Sequence, residues 1–552
     1  MTDPVAAAAA WAAQDPDNTT RAELEKLIAD AAAGTPAALT ALHDRFDTRL
    51  EFGTAGLRGA IGAGPNRMNR VLVGQAAAGF AAWLLEQGDA PSVVIGYDGR
   101  TNSRVFATDT AEIMAGAGVR AILLPRLLPT PVLAFAVRHL DVSAGVMVTA
   151  SHNPPADNGY KVYLGDENAG AQIVAPTDAQ ISAHIHRIAD GSPVTGLPRS
   201  TEYEIAEENV IDAYVRATAG LAPQPATAVP FVYTAMHGVG WETAKRVFAA
   251  AGFGEPHSVA DQQEPDAAFP TVAFPNPEEP GALDLAFAAA TESGAALIIA
   301  NDPDADRLGV AIPTDSGWRR LSGNEVGSLL GWRAAVRLRA ADADGTLACS
   351  LVSSPALREI ARVYDLDFVE TLTGFKWIAR AGGLAFGYEE ALGYLVDPWI
   401  IRDKDGISAA VDFLALAGEL ASTGRTVADH LVEFADRFGG YASAQFSVRV
   451  TDLAEVPRIM ARLRAAPPRA IGAEVVDRIE DFSGGFAQYP PSDILRIRTR
   501  GGARVIVRPS GTEPKVKIYI DASSTEGAGL DRTRAAQVVV DDLESGMRAL
   551  LS

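Results

Sequence analysis

Cysteine is almost absent from this chain, with one residue, Cys349, among 552. A single cysteine cannot build a disulfide framework, and this one lies in the apolar run from Thr346 to Leu351, so we expect an inert core thiol. Such cysteine usage is typical of a reducing compartment, and we predict a cytoplasmic protein. The alanine-rich stretch from Ala6 to Ala13 has no basic leader, which predicts that it is not a signal peptide.

Long apolar runs and positive charge are also scarce. No apolar run approaches the ~20 residues that a membrane-spanning helix needs, so we predict no membrane association. Lysine and arginine number 48 against 69 acidic residues, which gives a formal charge of -21. This excess of acid disfavours nucleic acid and anionic membrane surfaces as partners. An anionic substrate would therefore need a local basic pocket.

Hydrophobic residues make up 48% of the chain, and 552 residues exceed what one core supports, so several domains are expected. Apolar β-branched runs alternate with helical stretches from Ser92 onward, which predicts parallel or mixed sheets covered by helices. After Ala444, strands follow one another closely, which predicts an antiparallel sheet. We therefore predict an α/β fold of three similar α/β domains and a C-terminal α+β domain around a central active-site cleft. The predicted domains are 1–205, 206–320, 321–440 and 441–552.

Ser151 follows the apolar run Gly145–Val148 and precedes Asn153-Pro154-Pro155. The run predicts a buried strand, and prolines continue neither a helix nor a ladder, so we expect the serine on a stiff, exposed loop at the strand end. A serine needs a base or a cation to become a nucleophile. His152 is adjacent, and Lys161 lies on the next segment. A polar turn without chemistry has the same composition.

Three aspartates, Asp302, Asp304 and Asp306, follow the apolar stretch 295–300. In an extended segment this spacing projects the carboxylates on one side, and three like charges so close need a cation. A compact set of oxygen ligands suits Mg²⁺. An EF-hand is excluded, because Arg307 stands where that loop needs glycine. The competing interpretation is a solvated acidic turn, which the position at the end of an apolar strand disfavours.

Two further segments carry groups that suit a phosphate. The stretch from Phe52 to Gly59 combines glycines with one arginine, Arg58, and holds no acidic residue, so its amides and guanidinium match phosphate oxygens. The stretch from Arg508 to Lys515 holds an arginine, two hydroxyls, loop amides and a lysine in eight residues. That inventory suits a phosphate that is bound but not transferred. A flexible loop and a polar turn are the respective alternatives.

The segment from Thr149 to Pro155 resembles the phosphoserine loop of the α-D-phosphohexomutase superfamily, the phosphoglucomutases and phosphomannomutases. The segment 302–307 resembles the metal-binding loop of that family, 53–59 its amino-terminal arginine loop, and 508–515 its phosphate-binding loop. The resemblance implies that Ser151 carries a phosphoryl group, which is given to the sugar and later taken back. It also implies that an oxygen of this phosphate is a metal ligand.

The resemblance extends to segments for the sugar and for proton transfer. Thr373–Trp377 resembles a sugar-contacting segment, and Glu389–Tyr394 resembles the loop whose glutamate accepts hydrogen bonds from vicinal hydroxyls. Ala391 stands where that loop usually has serine, which leaves the choice of sugar open. Arg402–Gly406 resembles the segment with a proton-shuttling lysine, although a charged turn has the same composition. The implied residues are catalytic Ser151, His152, Lys161, Lys404, Arg58 and Arg307; metal-binding Ser151, Asp302, Asp304 and Asp306; sugar-binding Gly374, Phe375, Lys376, Glu389 and Ala391; and phosphate-binding Arg508, Ser510, Gly511, Thr512 and Lys515.

The family resemblance implies an isomerase, an intramolecular phosphotransferase. We predict that it interconverts α-D-glucose 1-phosphate and glucose 6-phosphate through a phosphoserine enzyme and a bisphosphorylated sugar. Glucose is the first choice because 53–69, 374–377 and the Glu389 loop look like the branch that includes phosphoglucomutases and phosphopentomutases. Mannose and pentose phosphates remain open. A metal-dependent sugar phosphatase and a non-catalytic sugar-phosphate sensor are the alternatives from other classes.

The same resemblance implies the cofactors and partners. We expect one Mg²⁺ per chain, a catalytic hexose bisphosphate as activator, and a phosphorylated monosaccharide as substrate. We predict a monomer or a homodimer.

Overall fold

The computed structural model describes residues 3–191, 193–223, 227–450, 452, 454–510 and 515–551. The chain forms two compact units. The first combines Met1–Arg320 with Gly393–Gly418, and the second combines Leu321–Leu392 with Glu419–Ser552. Four sheets with their helices make up the described residues, which confirms the predicted α/β fold class. The predicted domain boundaries stay a prediction.

The first sheet has the order β1-β5-β4-β2-β3-β7, and β6 pairs with β5. Its strands are β1 (Leu57–Ala60), β2 (Ser92–Tyr97), β3 (Arg120–Leu123), β4 (Ala144–Val148), β5 (Asp157–Leu164), β6 (Ala171–Gln172) and β7 (Glu204–Ile205). The helices of this part are α1 (Pro4–Gln14), α2 (Asn18–Ala32), α3 (Pro36–Phe46), α4 (Arg70–Gln87), α5 (Ser103–Gly116), α6 (Thr130–His139) and α7 (Thr177–Gly191). Strands β4, β2, β3 and β7 run parallel, whereas β5 and β1 are antiparallel to their neighbours. The sheet is therefore mixed, and its central strand β2 is buried along its whole length, as expected for a strand covered on both faces.

Strand β1 is absent from the sequence prediction, which treats the surrounding segment as a loop. Leu57 pairs with Tyr160 and Arg58 pairs with Gly159, so the arginine lies on an edge strand beside β5. Gly56 precedes this strand with a φ of +73°, and a Cβ there would lie 1.8 Å from the carbonyl oxygen of Tyr160. Only glycine allows this close approach of the two backbones.

The second sheet has the order β12-β11-β10-β8-β9. Its elements are α8 (Glu208–Ala219), β8 (Phe231–Thr234), α9 (Gly240–Ala251), β9 (His257–Ser258), α10 (Asp284–Ser293), β10 (Leu297–Ala300), β11 (Gly309–Thr314) and β12 (Gly317–Arg320). Strands β10, β8 and β9 are parallel, and β11 and β12 extend the sheet as an antiparallel hairpin. Strand β10 has the buried sequence Leu-Ile-Ile-Ala and ends directly before the predicted aspartate cluster.

The third sheet contains the parallel strands β14, β13 and β15. The elements are α11 (Gly323–Ala340), β13 (Thr346–Ser350), α12 (Ala356–Val363), β14 (Asp367–Thr371), α13 (Phe375–Ile378), β15 (Leu384–Glu389), β16 (Gly393–Leu395), α14 (Gly406–Ser422) and α15 (Val427–Phe438). A capping box of Ser322 and Glu325 starts α11. Strand β16 and most of α14 belong to the first unit. Cys349 lies on β13 and is buried, and burial raises the pKa of its thiol, in agreement with an inert core residue.

The fourth sheet is antiparallel throughout, with the order β17-β22-β21-β20-β19-β18. Its elements are β17 (Gly440–Arg449), α16 (Glu455–Ala465), β18 (Ala470–Ile471), β19 (Glu474–Asp481), β20 (Leu495–Thr499), β21 (Arg504–Pro509), β22 (Lys515–Ser524) and α17 (Leu530–Leu551). Apolar residues of the sheet and of α17 share one core cluster. The predicted α+β character of this part is confirmed.

No single helix in the described part of the chain is long and apolar enough to cross a membrane. Helices α14 and α15 together have the length and apolar composition of a membrane-spanning segment, but the chain bends by 93° between them. Side chains along α14 are buried, including Ile407, Val411 and Leu414.

Asn69 links the start of α4 to the turn that follows β1. Its side-chain oxygen accepts a hydrogen bond from the Leu72 amide at 2.9 Å, and its Nδ2 donates to the carbonyls of Gly62 and Gly64, both at 2.8 Å. The side chain is 1% exposed. Its loss therefore removes a helix cap and leaves two buried carbonyls without these partners.

We expect Asn69→Ala to lower the local stability of α4 by about 2–3 kcal/mol, because a lost cap and unsatisfied buried groups add up. Native-state hydrogen exchange of the α4 amides measures this change. Asp17→Ala is the matched control, since Asp17 caps α2 through an exposed hydrogen bond of 2.8 Å to the Thr19 amide. We expect about 0.5–1 kcal/mol there. Equal effects of the two variants would contradict the role given to Asn69.

Candidate active site

Ser151 lies just past the end of β4, in a left-handed conformation with a φ of +52°. Non-glycine residues rarely adopt this region, and residues that do so cluster at functional sites. Its amide donates to Thr149 Oγ1 at 2.9 Å, and its hydroxyl donates to Asp302 Oδ2 at 3.0 Å. The hydroxyl oxygen also lies 3.2 Å from His152 Nδ1. The residue is 3% exposed, so the expectation of an exposed serine is wrong: the aspartate segment covers it.

Arg100 holds the backbone of the serine loop. Its guanidinium donates to the carbonyls of Ser151 and Asn153, both at 2.6 Å, and to those of Pro154 at 2.9 Å and Asp157 at 3.2 Å. The side chain is 4% exposed. The sequence prediction did not select this residue, although it follows the end of a buried strand, as Ser151 does. The planar fork of arginine suits several acceptors at once.

The three aspartates follow β10 in a tight turn, not in the extended segment that the spacing suggested. Ala305 has a φ of +55°, which folds the turn so that one oxygen of each carboxylate lies within 4.8 Å of the others. All three aspartates are fully buried. Thr130, at the start of α6, fixes the second of them: its amide donates to the Asp304 carbonyl at 2.9 Å and its hydroxyl donates to Asp304 Oδ2 at 2.7 Å.

Two lysines offset part of this buried negative charge. Lys161 Nζ lies 2.7 Å from Asp304 Oδ2 and 2.9 Å from Asp306 Oδ2, and Lys404 Nζ lies 3.0 Å from Asp306 Oδ2. Burial alone would raise the pKa of Asp306, but the charges of Lys161, Lys404 and Arg307 outweigh burial and lower the pKa. Burial and the two neighbouring carboxylates raise the pKa of Asp302 well above its usual range. Without a cation, burial and these neighbours therefore disfavour a negative charge on Asp302.

The donor set fits a divalent cation. Asp304 Oδ1 and Asp306 Oδ1 are buried and have no hydrogen-bond partner among the described residues. Buried carboxylate oxygens without partners are costly unless a cation binds them. Three carboxylates in a compact set are ligands of the kind that Mg²⁺ prefers. The aspartate cluster is therefore a group that could hold a metal ion.

The remaining predicted catalytic residues lie around the serine. Arg307 Nε is 3.7 Å from Asp302 Oδ2 and 3.9 Å from Asp306 Oδ1. Arg58 donates to Asn153 Oδ1 at 3.4 Å. Desolvation, followed by the charges of Arg307 and Arg58, lowers the pKa of His152 well below its usual range, which favours a neutral ring. The structure therefore places all six predicted catalytic residues in the first unit, where the other five lie beside Ser151, its loop or the aspartate cluster that it contacts.

The predicted sugar-binding residues lie in the second unit. Gly374 precedes α13 with a φ of +108°, a conformation that favours glycine. Phe375 is 4% exposed, whereas Lys376 is partly exposed and lies over the ring of Trp377 at 6.0 Å. Glu389 ends β15 and is partly exposed, and Ala391 follows in the next turn.

Glu390 anchors the Glu389 turn to β13. Its carboxylate accepts hydrogen bonds from the hydroxyls of Ser350 at 3.0 Å and Ser353 at 3.2 Å. Its amide donates to Ser353 Oγ at 3.1 Å. This glutamate is absent from the predicted set, and its neighbour Glu389 was selected on resemblance alone.

The predicted phosphate-binding residues also lie in the second unit. Arg508 is on β21 and donates to the Thr373 hydroxyl. The Ser510 amide donates to the Lys515 carbonyl at 2.8 Å. Gly511 and Thr512 lie outside the described residues.

A buried serine beside a three-carboxylate cation site, with two lysines and two arginines around it, has the parts of a metal-assisted phosphoryl-transfer centre. Such chemistry needs charge neutralisation and positioning more than covalent activation. The fold and the site thus have the features of a phosphoryl-transfer enzyme.

The comparisons with known proteins identify the family. Four family models match in chain order: the phosphoglucomutase/phosphomannomutase α/β/α domain I at residues 49–191, domain II at 212–317, domain III at 322–438, and the C-terminal domain at 447–535. The chain belongs to the phosphoglucomutase/phosphomannomutase family, whose members are mutases of the isomerase class.

Several relatives cover nearly the whole chain. A probable phosphomannomutase of Haemophilus influenzae is 55% identical over 485 residues, which are 88% of this chain and 98% of that protein. A phosphopentomutase of Homo sapiens is 35% identical over 94% of this chain and 91% of that protein. The crystal structure of a putative phosphomannomutase from Thermus thermophilus matches with a TM-score of 0.69 and 24% identity, over 91% of this chain and 99% of that one.

We expect Mg²⁺ or Mn²⁺ to bind the aspartate cluster, and Asp302→Asn to weaken binding by more than about 100-fold because it replaces a charged carboxylate ligand by a neutral amide. Thr130→Val should weaken binding about 10-fold, since it removes only a hydrogen bond that orients Asp304. Calorimetric titration measures both. Asp315→Asn, at an exposed turn, is the control. Unchanged affinity in Asp302→Asn would contradict the assignment.

Arg100→Lys should lower kcat about 100-fold with a smaller change in KM, because lysine keeps the charge but cannot bridge four carbonyls, and a small misplacement of Ser151 slows transfer. Steady-state kinetics with a sugar phosphate measures the changes in kcat and in KM separately. Arg104→Lys, at an exposed position on α5, is the control. Wild-type kcat in Arg100→Lys would show that the loop does not need this clamp.

Proposed function

We propose that this protein interconverts α-D-glucose 1-phosphate and glucose 6-phosphate through a phosphorylated Ser151 and a bisphosphorylated sugar. The observation that carries this proposal is the hydrogen bond of 3.0 Å between the Ser151 hydroxyl and Asp302, one of three clustered aspartates. A serine in that position can give and take a phosphoryl group beside a bound cation. Family membership supports the reaction class.

The proposed reaction has two transfers. The bond between Ser151 Oγ and phosphorus breaks as a free sugar hydroxyl bonds to the phosphorus, which leaves a bisphosphorylated sugar. The bisphosphorylated sugar then reverses its orientation in the site. The bond between its other phosphorus and the sugar oxygen breaks as Ser151 Oγ bonds to that phosphorus, which leaves a free sugar hydroxyl and restores the phosphoserine. Each transfer needs a proton taken from one hydroxyl and given to another. We assign this proton transfer to Lys404, with His152 and Lys161 in support.

Charge around the serine favours the transfer. Arg58 and Arg307 face a group that gains negative charge on its equatorial oxygens, and fixed positive charges in a buried site stabilise such a group strongly. One Mg²⁺ per chain, held by the three aspartates and by an oxygen of the serine phosphate, would supply further charge neutralisation. A hexose bisphosphate is the proposed activator, because it phosphorylates Ser151 at the start of a cycle.

The second unit supplies the proposed recognition of the sugar phosphate. Glu389 accepts hydrogen bonds from vicinal hydroxyls, and the segment 374–376 contacts the ring. The loop from Arg508 to Lys515, with Ser510, Gly511 and Thr512, binds the phosphate that is not transferred. A glutamate that accepts from two hydroxyls can hold the ring in either orientation, as the two transfers require.

A pentose phosphate is the second candidate substrate. Ala391 replaces the serine that the sugar loop of the family usually carries, and the human relative is named a phosphopentomutase. Loss of one hydroxyl donor near the ring changes which sugar hydroxyls are bound. The name of the Haemophilus influenzae relative makes mannose 1-phosphate a further substrate to test.

The proposal is tested by a coupled assay with glucose, ribose and mannose 1-phosphates, Mg²⁺ and a trace of glucose 1,6-bisphosphate. We expect the highest kcat/KM with glucose 1-phosphate. Ser151→Ala should lower kcat by more than about 1000-fold, because no serine oxygen can carry the phosphoryl group. Labelled bisphosphate should phosphorylate the wild-type protein and not this variant.

Ser422→Ala, at an exposed helix end, is the matched control for the serine. Turnover that survives in Ser151→Ala would overturn the mechanism. Release of inorganic phosphate faster than isomerisation would identify a phosphatase, and binding of sugar phosphate without turnover would identify a sensor. A higher kcat/KM with ribose 1-phosphate would keep the mechanism and replace the sugar.

A further inference from the structure

A buried ionic network in the second unit lies outside all of the predicted site residues. Its centre is Glu370 on β14, which is 8% exposed. Glu370 Oε2 accepts from Arg496 Nη1 at 2.6 Å and from the Tyr489 hydroxyl at 2.9 Å, and its Oε1 accepts from Arg504 Nη1 at 3.1 Å. One carboxylate of the third sheet therefore receives three donors from the part of the chain that forms the fourth sheet.

Arg504 extends the network across β21. Its Nε donates to Asp521 Oδ2 on β22 at 2.9 Å, and its Nη2 donates to the carbonyl of Ser353, which follows β13. Asp521 Oδ1 in turn accepts from the Ser443 hydroxyl on β17 at 2.7 Å. The arginine is 4% exposed and the aspartate 2%. The network thus joins strands of the third and fourth sheets through fully paired buried charges.

The carboxylate at the centre of the network is charged in the folded protein. Burial alone would raise the pKa of Glu370, but Arg504 and Arg496 outweigh burial and lower the pKa, so the carboxylate is ionised. A buried ionic network of this kind is not a strong source of stability, because desolvation offsets much of the attraction. Such groups instead restrict geometry, since every partner must be present at a fixed distance.

Both of the strands that the network joins lead to proposed recognition segments. Glu370 precedes the segment Thr373–Trp377, and Arg504 lies four residues before Arg508 on β21. Residues four apart on a strand share a face and lie roughly 13 Å apart. Arg508 donates directly to the Thr373 hydroxyl, so the two segments also touch. The network therefore joins the part of β21 that precedes Arg508 to the strand that precedes the sugar-contacting segment.

We propose that Glu370 and Arg504 are positioning residues that hold the phosphate-binding arginine at a fixed distance from the sugar-contacting segment. This inference rests on the proposed function. A sugar phosphate engages both segments with one rigid molecule, so its affinity depends on their separation, whereas a free phosphate engages only one. Two linked contacts gain affinity only when the geometry lets both form together.

The test compares glucose 1-phosphate, which engages both segments, with inorganic phosphate, which engages only the phosphate-binding segment. Kinetics with glucose 1-phosphate give KM, and inorganic phosphate as a competitive inhibitor gives Ki. We expect Glu370→Gln to raise KM about 10-fold while Ki changes less than about 2-fold, because the groups that contact phosphate stay intact. Tyr489→Phe removes only one donor, preserves the charges, and should raise KM in the same direction by a smaller factor. This second variant serves if Glu370→Gln folds poorly.

Two reference variants make the result specific. Arg508→Ala removes a proposed phosphate contact and should raise both KM and Ki. Asp531→Asn removes an exposed ion pair with Arg534 on α17 and should change neither. Thermal melting of every variant separates lost positioning from lost folding.

The outcomes distinguish the inference from the function on which it rests. Equal rises of KM and Ki in Glu370→Gln and Tyr489→Phe, or no rise in KM, would overturn the positioning role while the mutase function stands. A wild-type protein that turns over none of the sugar phosphates would overturn the proposed function, and the positioning role would fall with it. An unchanged Ki in Arg508→Ala would overturn the assignment of Arg508 to phosphate binding. It would also overturn the positioning role, which depends on that assignment.

Discussion

The mutual repulsion of three buried carboxylates is the constraint on which the rest of the catalytic unit depends. Asp302, Asp304 and Asp306 lie within 4.8 Å of one another and are fully buried, so positive groups must surround them. Lys161 comes from an antiparallel strand of the first sheet, and Lys404 comes from a segment more than 80 residues after the aspartates. The folding of the first unit is therefore coupled to the assembly of its charges.

Each unit contains a buried arginine that binds several acceptors, a backbone loop in the first unit and two sheets in the second. Arg100 satisfies four backbone carbonyls and so holds a serine in a left-handed conformation that would otherwise cost about 1–3 kcal/mol. Arg504 joins two sheets through carboxylates and one carbonyl. In both places the planar guanidinium serves several acceptors at fixed angles, which a lysine cannot do. In both units, buried arginines thus hold segments that carry residues of the proposed site.

Sequence reasoning selected the chemically distinctive residues and left out those that support them. The serine stretch, the aspartate spacing and the arginine loops stand out because their composition is unusual at strand ends. Arg100 and Thr130 are not among the predicted site residues, because an arginine after a turn and a threonine at a helix start are common. Arg58 was placed in a loop, since a four-residue strand beside glycines has no readable periodicity. The burial of Ser151 also needed tertiary contacts to be seen.

The sequence by itself determined the α/β class and the antiparallel last sheet, because strand and helix periodicity are properties of short segments. It also predicts the residues of the proposed site, through local composition and the resemblance to a known family. The tertiary structure alone decided which of these residues meet. The aspartates converge through a turn at Ala305 and not through an extended segment, and lysines from distant parts of the chain complete the charge balance. Contacts between residues far apart in sequence depend on how elements pack, and no local pattern encodes that packing.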